Sequence, residues 1–256
     1  MNTDEMALEA AANVIKDSSY LVALVGAGLS AESGIPTFRG TGGLWTRIGE
    51  PSWNGYQDLL RDPVGWWQNQ LDPDSDPART EFRAAIDAAE PNAGHTALVD
   101  LERMGFLKMT ITQNVDNLHV RAGSTRLIEI HGNRTKVRCI GCESRWLREA
   151  FDYQRLPPEC PECGGLVKGD TVMFGEPIPP SVIEACFTVT DLCDGMIVCG
   201  TSATVYPAAA FPQAVSQRGG YVIEANPNPT PLSSVADVVL RGPTGTVLPQ
   251  LVERLR

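Results

Sequence analysis

"LVALVGAGLSAESGIPTFRG", residues 21–40, joins five consecutive apolar residues to a glycine-rich turn. An unbroken apolar run of that length suits a strand covered on both faces, as in a parallel sheet. Gly26, Gly28 and Ala31 meet the three small positions of a dinucleotide-binding turn. The first permits a tight bend, the second lets backbone approach a pyrophosphate, and the third allows close packing. A plain strand-to-helix turn reads the same way in isolation. The residues after the turn depart from the fingerprint, because Pro36, Gly40, Gly42 and Gly43 break any long helix. A dehydrogenase also places an acidic ribose ligand about 20 residues beyond the glycines. Here that spacing reaches Glu50, in a Gly- and Trp-rich stretch, so the dehydrogenase layout fails.

Outward from this turn, further apolar runs occupy 109–112, 127–130, 196–199, 221–223 and 238–240, with helical patterns at 95–104 and 207–218. The alternation predicts an α/β fold built on a doubly wound, parallel, Rossmann-like sheet. Two stretches interrupt it. Residues 41–92 carry Trp45, Trp53, Trp66 and Trp67 among many Pro, Asp and Gly, and read as a helical insertion or lid. Residues 134–170 enclose four cysteines. The expected organisation is a Rossmann-like domain from 1–40, 93–133 and 171–256, the insertion 41–92, and a metal-binding module 134–170. The first 19 residues read as an amphipathic helix with Met6, Ala7, Ala10, Ala11, Val14 and Ile15 on its apolar side.

Composition narrows the function. The 256 residues carry 21 basic and 31 acidic side chains, a net charge of −10. A general nucleic-acid binder needs a basic face instead. An acidic surface suits a lysine-rich partner, with a merely solvated surface as the competing reading. No apolar run approaches the ~18 residues of a membrane span. The acidic start, with Asp4, Glu5 and Glu9, is unlike a secretory signal, so the expected compartment is the cytoplasm. Of the seven cysteines, Cys139, Cys142, Cys160 and Cys163 form two C-x2-C pairs separated by residues 143–159. That spacing predicts one structural zinc; four thiolates close its coordination and leave no position for substrate. Cys186, Cys193 and Cys199 read as core residues of a reduced protein.

Polar residues gather where the predicted strands end. "IEIHGN" puts His131 at a strand's carboxyl end, the edge at which open α/β sheets bind ligands. "TITQNVDNLHVRAG" brings Gln113, Asn114 and Asp116 to the same edge. Helix capping competes for Asn114 and Asp116, and a satisfied buried histidine for His131. His95 reads as part of a helix start, and His119 as a packing or capping residue. "VCGTSATVYPAA" offers Gly200, Thr201 and Ser202 to a phosphate or ribose, and "YVIEANPNPT" ends with Glu224 and Asn226, suited to an adenosine ribose.

Together these motifs resemble the sirtuin family of NAD-dependent protein deacylases: "GAGLSAESGIPTFRG", "PNAGH", "TQNVDNLHVRAG", "HGN", the paired cysteines, "VMFGE", "GTSATVYPAA" and the first "N" of "IEANPNPT", in the family's order over nearly the whole chain. The resemblance implies NAD as cosubstrate, zinc as a structural ion, and acyl-lysine proteins or peptides as partners; the charge and the short apolar runs add the expectation of no nucleic acid and no membrane. It assigns Gly26, Ala27, Gly28 and Ser30 to the phosphates, with Glu32 in the same cofactor-binding segment. Ile35, Asn114 and Asp116 would enclose the nicotinamide, and Phe38 and Arg39 would close over the reacting ribose. Gln113 belongs to the cofactor set as well. Gly200, Thr201, Ser202 and Asn226 would hold the adenosine half, with Thr244 near the adenine. Val172, Phe174, Gly175 and Glu176 lie on the segment expected to pair with the substrate peptide as an added strand. His131 would be the general base on the ribose hydroxyls, with Asn114 and Asp116 completing the catalytic set.

The expected reaction moves the acyl group of acyl-lysine to ADP-ribose, releasing nicotinamide and free lysine. The alternatives are a mono-ADP-ribosyltransferase or NAD glycohydrolase on the same scaffold, a silent NAD-binding module, and a nucleic-acid-binding ribbon resting on Lys136, Arg138, Arg145, Arg148, Arg155 and Lys168. Relatives specialised for succinyl- or malonyl-lysine carry a Tyr-x-x-Arg pair in the insertion, which residues 65–90 lack. A neutral acyl chain against Trp66 or Trp67 is expected instead, unless Arg79 or Arg83 reaches the pocket.

Overall fold

The computed structural model describes residues 3–38, 43, 45–46, 49–50, 52–72 and 76–256. All six apolar runs become strands of one parallel sheet: β1 (Leu21–Val25), β2 (Leu107–Thr112), β3 (Leu127–Glu129), β7 (Gly195–Cys199), β8 (Tyr221–Ala225) and β9 (Val238–Leu240). Their order is β3-β2-β1-β7-β8-β9, the doubly wound arrangement, in which the direction of winding reverses between β1 and β7. Side chains alternate along β1, which explains its unbroken apolar run. Leu21, Ala23 and Val25 enter one core, and Val22 and Leu24 the other.

The first core lies under α1 (Thr3–Asp17), α5 (Ala93–Arg103) and α9 (Thr244–Glu253), through residues such as Ile15, Leu101 and Leu251. The second lies under α7 (Pro180–Leu192) and α8 (Ala210–Gln217), through Cys186, Val189, Phe211 and Val215. Cys186, Cys193 and Cys199 are buried and unbridged, as expected. The N-terminal helix forms with its apolar face rotated from the expected one. Leu8, Ala11, Ala12 and Ile15 are buried, while Met6 and Ala10 are exposed. The i, i+3, i+4, i+7 set beginning at Leu8 won over the one beginning at Ala7, because it aims at the sheet. Asp194, just before β7, accepts from Ser18 Oγ and from the backbone N–H groups of Ser19 and Tyr20, tying the entry of β1 to that of β7.

The stretch 41–92 contains α2 (Gly55–Arg61), α3 (Pro63–Leu71) and α4 (Pro77–Ala88). Asp62 and Asp76 cap the last two, accepting from Gly65 N and Arg79 N, and each is followed by a proline whose missing N–H costs nothing there. The cysteine stretch folds around a three-stranded antiparallel sheet, β5 (Arg145–Leu147), β4 (Lys136–Cys139) and β6 (Val167–Gly169), in that order. Trp67 corrects an expectation here. It is fully buried against Val137, Cys139, Cys160 and Val167, its indole N–H donating to Val167 O at 2.9 Å. Trp66 packs on the same cluster. Both rings therefore complete the core of the cysteine module rather than stand ready for an acyl chain. That module is too small to bury its own sheet, and the indoles supply the missing apolar surface.

Candidate active site

The reversal of winding between β1 and β7 opens a crevice at their carboxyl ends. Two 3-10 turns, Ala27–Leu29 and Ala31–Ser33, follow β1, and Gly26 before the first and Gly28 within it meet the turn after β7. Gly26 N–H donates to Cys199 O at 3.0 Å and Gly28 N–H to Gly200 O at 2.7 Å. A Cβ on Gly28 would lie 2.8 Å from Gly200 Cα, closer than packed atoms allow. Both donors are committed to the neighbouring loop, and the glycines serve to let the two turns touch.

The end of β2 supplies the next layer. Asn114 donates through Nδ2 to Gly26 O and Ser30 Oγ, both at 3.1 Å. Ser30 Oγ donates to Asp116 Oδ2 at 2.7 Å, and Asp116 Oδ1 accepts from Leu118 N at 2.9 Å. Asp116 thus satisfies the first N–H of α6 (Leu118–Ala122) from the position before its N-cap, Asn117, while its other oxygen is held by Ser30. Burial raises its pKa above the usual carboxylate value, against the pull of those two hydrogen bonds. Gln113 Nε2 donates to Thr201 Oγ1 at 3.1 Å, joining the ends of β2 and β7. Ile35, Phe38, Phe82 and Ile86 line a small, half-open pocket with Ala27, Ser30, Asn114 and Asp116. Apolar walls with an amide and a carboxyl at one end suit a flat aromatic carboxamide. Arg39 lies outside the described residues.

His131 stands at the same edge. Its Nδ1 is 3.1 Å from Gln113 O. A carbonyl oxygen only accepts, so the proton sits on Nδ1 and Nε2 keeps its lone pair. Burial lowers the imidazole pKa, partly offset by that hydrogen bond, so the ring is neutral at physiological pH. Gly132 has φ +76°, and a Cβ there would fall 2.1 Å from Asp170 O, so only glycine fits. The remaining histidines face each other instead, ring centroids 5.1 Å apart. His95 Nδ1 accepts from Asn92 N in a capping box at the start of α5. Both rings are buried, and burial holds their pKa values at about 4 for His95 and about 3 for His119.

On the far side, Asn226 Nδ2 donates to Thr201 O at 2.9 Å, and Ser202 is exposed. Glu224 departs from its expected ribose role. Its carboxylate is buried and taken up by Thr230, Ser233 and Arg241. Glu32 and Thr244 come together at the start of α9, where Glu32 Oε1 accepts from Gly245 N at 2.7 Å and from Thr244 Oγ1 at 3.4 Å. Sequence reasoning missed Asn92. Besides capping α5 with Oδ1, it donates through Nδ2 to Leu29 O and Ser33 Oγ, clamping both 3-10 turns. The N-cap position ahead of Ala93 was a signal for the first role, and nothing local signals the second.

The segment after β6 runs alongside His131, with Val172 N donating to His131 O at 2.9 Å. Phe174 sits edge-on to Trp45 and Trp53, centroids 5.2 and 5.0 Å away, and Trp45 stacks on toward Phe38. Gly175 is exposed. Glu176, on the same segment, turns its side chain inward, where it is 2% exposed and held in ion pairs. The ribbon reading fails for the same reason at four of its cations. Arg138, Arg145 and Lys168 are paired with Asp170 or Glu176, and Lys136 with Glu129.

The four thiolate positions converge, all Sγ atoms lying within 4.8 Å of one another. The Cys139–Cys163 and Cys142–Cys160 sulfurs are 3.5 and 3.6 Å apart, and no cysteine is bridged. Tetrahedral zinc with Zn–S of about 2.3 Å needs edges of about 3.8 Å. Gly141 N–H points at Cys139 Sγ from 3.3 Å, the backbone support a thiolate ligand takes. The residues fit zinc. The crevice fits NAD by the chemistry of its groups: hydroxyls of Ser30, Thr201 and Ser202, amides of Gln113, Asn114 and Asn226, and an apolar-walled pocket with one carboxyl.

Comparison with known proteins agrees. The Sir2 family model matches residues 26–207. NAD-dependent protein deacylase 1 of Archaeoglobus fulgidus is 45% identical over 244 residues, covering 94% of this chain and 95% of the relative. A solved Sir2 homolog–NAD complex has TM-score 0.78 at 42% identity, covering 100% of this chain and 94% of that one. A Sir2 protein bound to a myristoylated histone peptide has TM-score 0.68 at 33% identity, covering 98% and 97%.

Proposed function

The chain belongs to the Sir2 family, and from that premise we propose how its own residues divide the work of an NAD-dependent protein lysine deacylase. When bound, NAD would supply a ribose carbon bearing a cationic leaving group; the amide oxygen of acyl-lysine takes the place of nicotinamide there, and one water molecule then releases free lysine and leaves O-acyl-ADP-ribose. Asn114 and Asp116, locked through Ser30, receive the carboxamide in the pocket walled by Ile35, Phe38 and Phe82. Ser202, Thr201 and Asn226 hold the adenosine half, and Gln113 braces Thr201. The apolar walls keep water away from the reacting carbon, and fixed alignment supplies much of the rate. The backbone of 172–175 receives the peptide as an added strand, a mode tolerant of many sequences.

One observation carries this reading: the His131 tautomer. With Nδ1–H committed to Gln113 O, neutral Nε2 is the base available to take a proton from a ribose hydroxyl. Glycosidic cleavage alone has less need of that base, which favours deacylation over the glycohydrolase or transferase alternative. Incubation with NAD and an acetyl-lysine peptide, followed by mass spectrometry, tests it. Free lysine peptide and O-acetyl-ADP-ribose are expected; nicotinamide release with the peptide still acetylated overturns it. The reducing cytoplasm is the compartment we propose, since all seven cysteines are unbridged and four gather as a metal site. Among the described residues no helix is long and apolar enough to cross a membrane.

A further inference from the structure

Five charged side chains meet beneath the segment expected to receive the peptide. The Glu176 carboxylate takes three donors: Arg138 Nη2 on Oε1 at 2.5 Å, and Lys168 Nζ at 3.0 Å and Met173 N at 2.8 Å on Oε2. Lys168 also donates to Gly169 O and Thr171 O. Arg138 Nε lies 3.2 Å from Asp170 Oδ1, within ion-pair reach though not aligned for a hydrogen bond. Arg145 Nε donates to that same oxygen, and Asp170 Oδ2 accepts from Asn133 N of the "HGN" motif. Arg138, Lys168, Asp170 and Glu176 are each at least 96% buried at the side chain.

Arg138 and Lys168 face each other across β4 and β6 of the cysteine module. Glu176 and Met173 belong to the segment beside His131. We propose that Glu176 is a positioning residue for substrate: gripped by Arg138 and Lys168, its carboxylate draws Met173 N inward and fixes the 172–175 backbone that an acyl-lysine peptide pairs with. The carboxylate faces only donors on both oxygens. A carboxamide there sets an N–H2 against a guanidinium or against an ammonium and a backbone N–H, so one contact turns repulsive. Breaking a buried pair from one side leaves uncompensated charge, and the loop is the part free to yield.

This inference rests on the deacylase reading, and the test separates the two. Wild-type protein and Glu176→Gln are compared for steady-state deacetylation of an acetyl-lysine peptide, ADP-ribose affinity by calorimetry, and zinc content. Expected for the variant are a peptide KM raised tenfold or more, kcat within threefold, and ADP-ribose affinity and zinc unchanged. A merely structural residue would move affinity, zinc and kcat together. A peptide KM within twofold of wild type overturns the proposal, as does parallel loss of ADP-ribose binding. Should Glu176→Gln lose its zinc or its fold, Glu176→Asp carries the test. It keeps the charge, draws the carboxylate back by one methylene, and has the same expected and overturning results. A wild type that leaves the peptide acetylated refutes the deacylase reading instead.

Discussion

Acidification is expected to destabilise this protein through the His95–His119 pair. In the fold the rings are held neutral, with pKa values at about 4 and about 3. In the unfolded chain both return to about 6.5. Below pH 6.5 the unfolded chain therefore binds protons that the native state refuses, and stability falls until the folded values are passed. Each pH unit in that window is worth about 1.4 kcal/mol per ring. Between pH 6.5 and 5, each ring withdraws about 2 kcal/mol and the pair about 4 kcal/mol, a large share of the 5–15 kcal/mol typical of a domain. His131, also depressed by burial, acts in the same direction. The assay is urea unfolding at pH 7 and pH 5, for wild type and His119→Phe. The variant should lose about 2 kcal/mol less over that interval. Taking the difference between the two proteins removes any pH dependence of zinc binding. Equal losses in both would refute the argument.

His131→Ala should lower single-turnover deacetylation by ~10²–10⁴-fold while ADP-ribose binding persists; a loss under tenfold would remove His131 from the role of base. Because burial depresses its pKa, kcat/KM should stay flat through neutrality and fall only on the acid side of pH 6.5. An acid limb centred above pH 7 would contradict that. Cys139→Ser or Cys160→Ser should yield metal-free, poorly soluble protein, since these sulfurs sit in the same core as Trp67; elemental analysis and a Tm measurement check it, and a soluble, fully active, zinc-free variant counts against it. Acetyl-lysine should be preferred to succinyl-lysine on one peptide by kcat/KM, because Arg83 is held by Gln70 and Arg79 by Asn69, leaving a buried succinyl carboxylate without a charged partner. Succinyl as the better substrate would refute this.

The sheet was legible from its runs, since continuous burial on both faces leaves a pattern that local residues must carry. The edge holding Gln113, Asn114 and His131 was legible too, because polar residues directly after such runs have only the strand ends to occupy. Partners chosen across long separations stayed hidden. Nothing near Trp67 tells that its indole meets Val167, and nothing near Glu176 foretells Arg138 and Lys168. The same holds for Glu224, whose composition suits a ribose yet whose neighbours Thr230 and Arg241 claim it first. The helix face at Leu8 was misjudged because Ala7 and Leu8 offer two overlapping stripes, and only the position of the sheet decides between them.

The adjacency of β1 and β7 has a consequence for how the chain is made. Residues 21–25 bond on one side to 107–112, and on the other to 195–199. A ribosome thus delivers the first three strands of the sheet, then the cysteine module, long before the second neighbour of β1 exists. Throughout that interval Leu21 to Val25 present an unpaired, apolar edge, the kind of surface on which nascent chains stick to one another. Closure waits for β7, and Asp194 arrives one residue ahead of it to grip Ser18, Ser19 and Tyr20. That carboxylate is the latch of the late-closing seam. Pairing of such high sequence separation is intrinsically slow. The emerging half-sheet is accordingly the species that a chaperone would meet during synthesis.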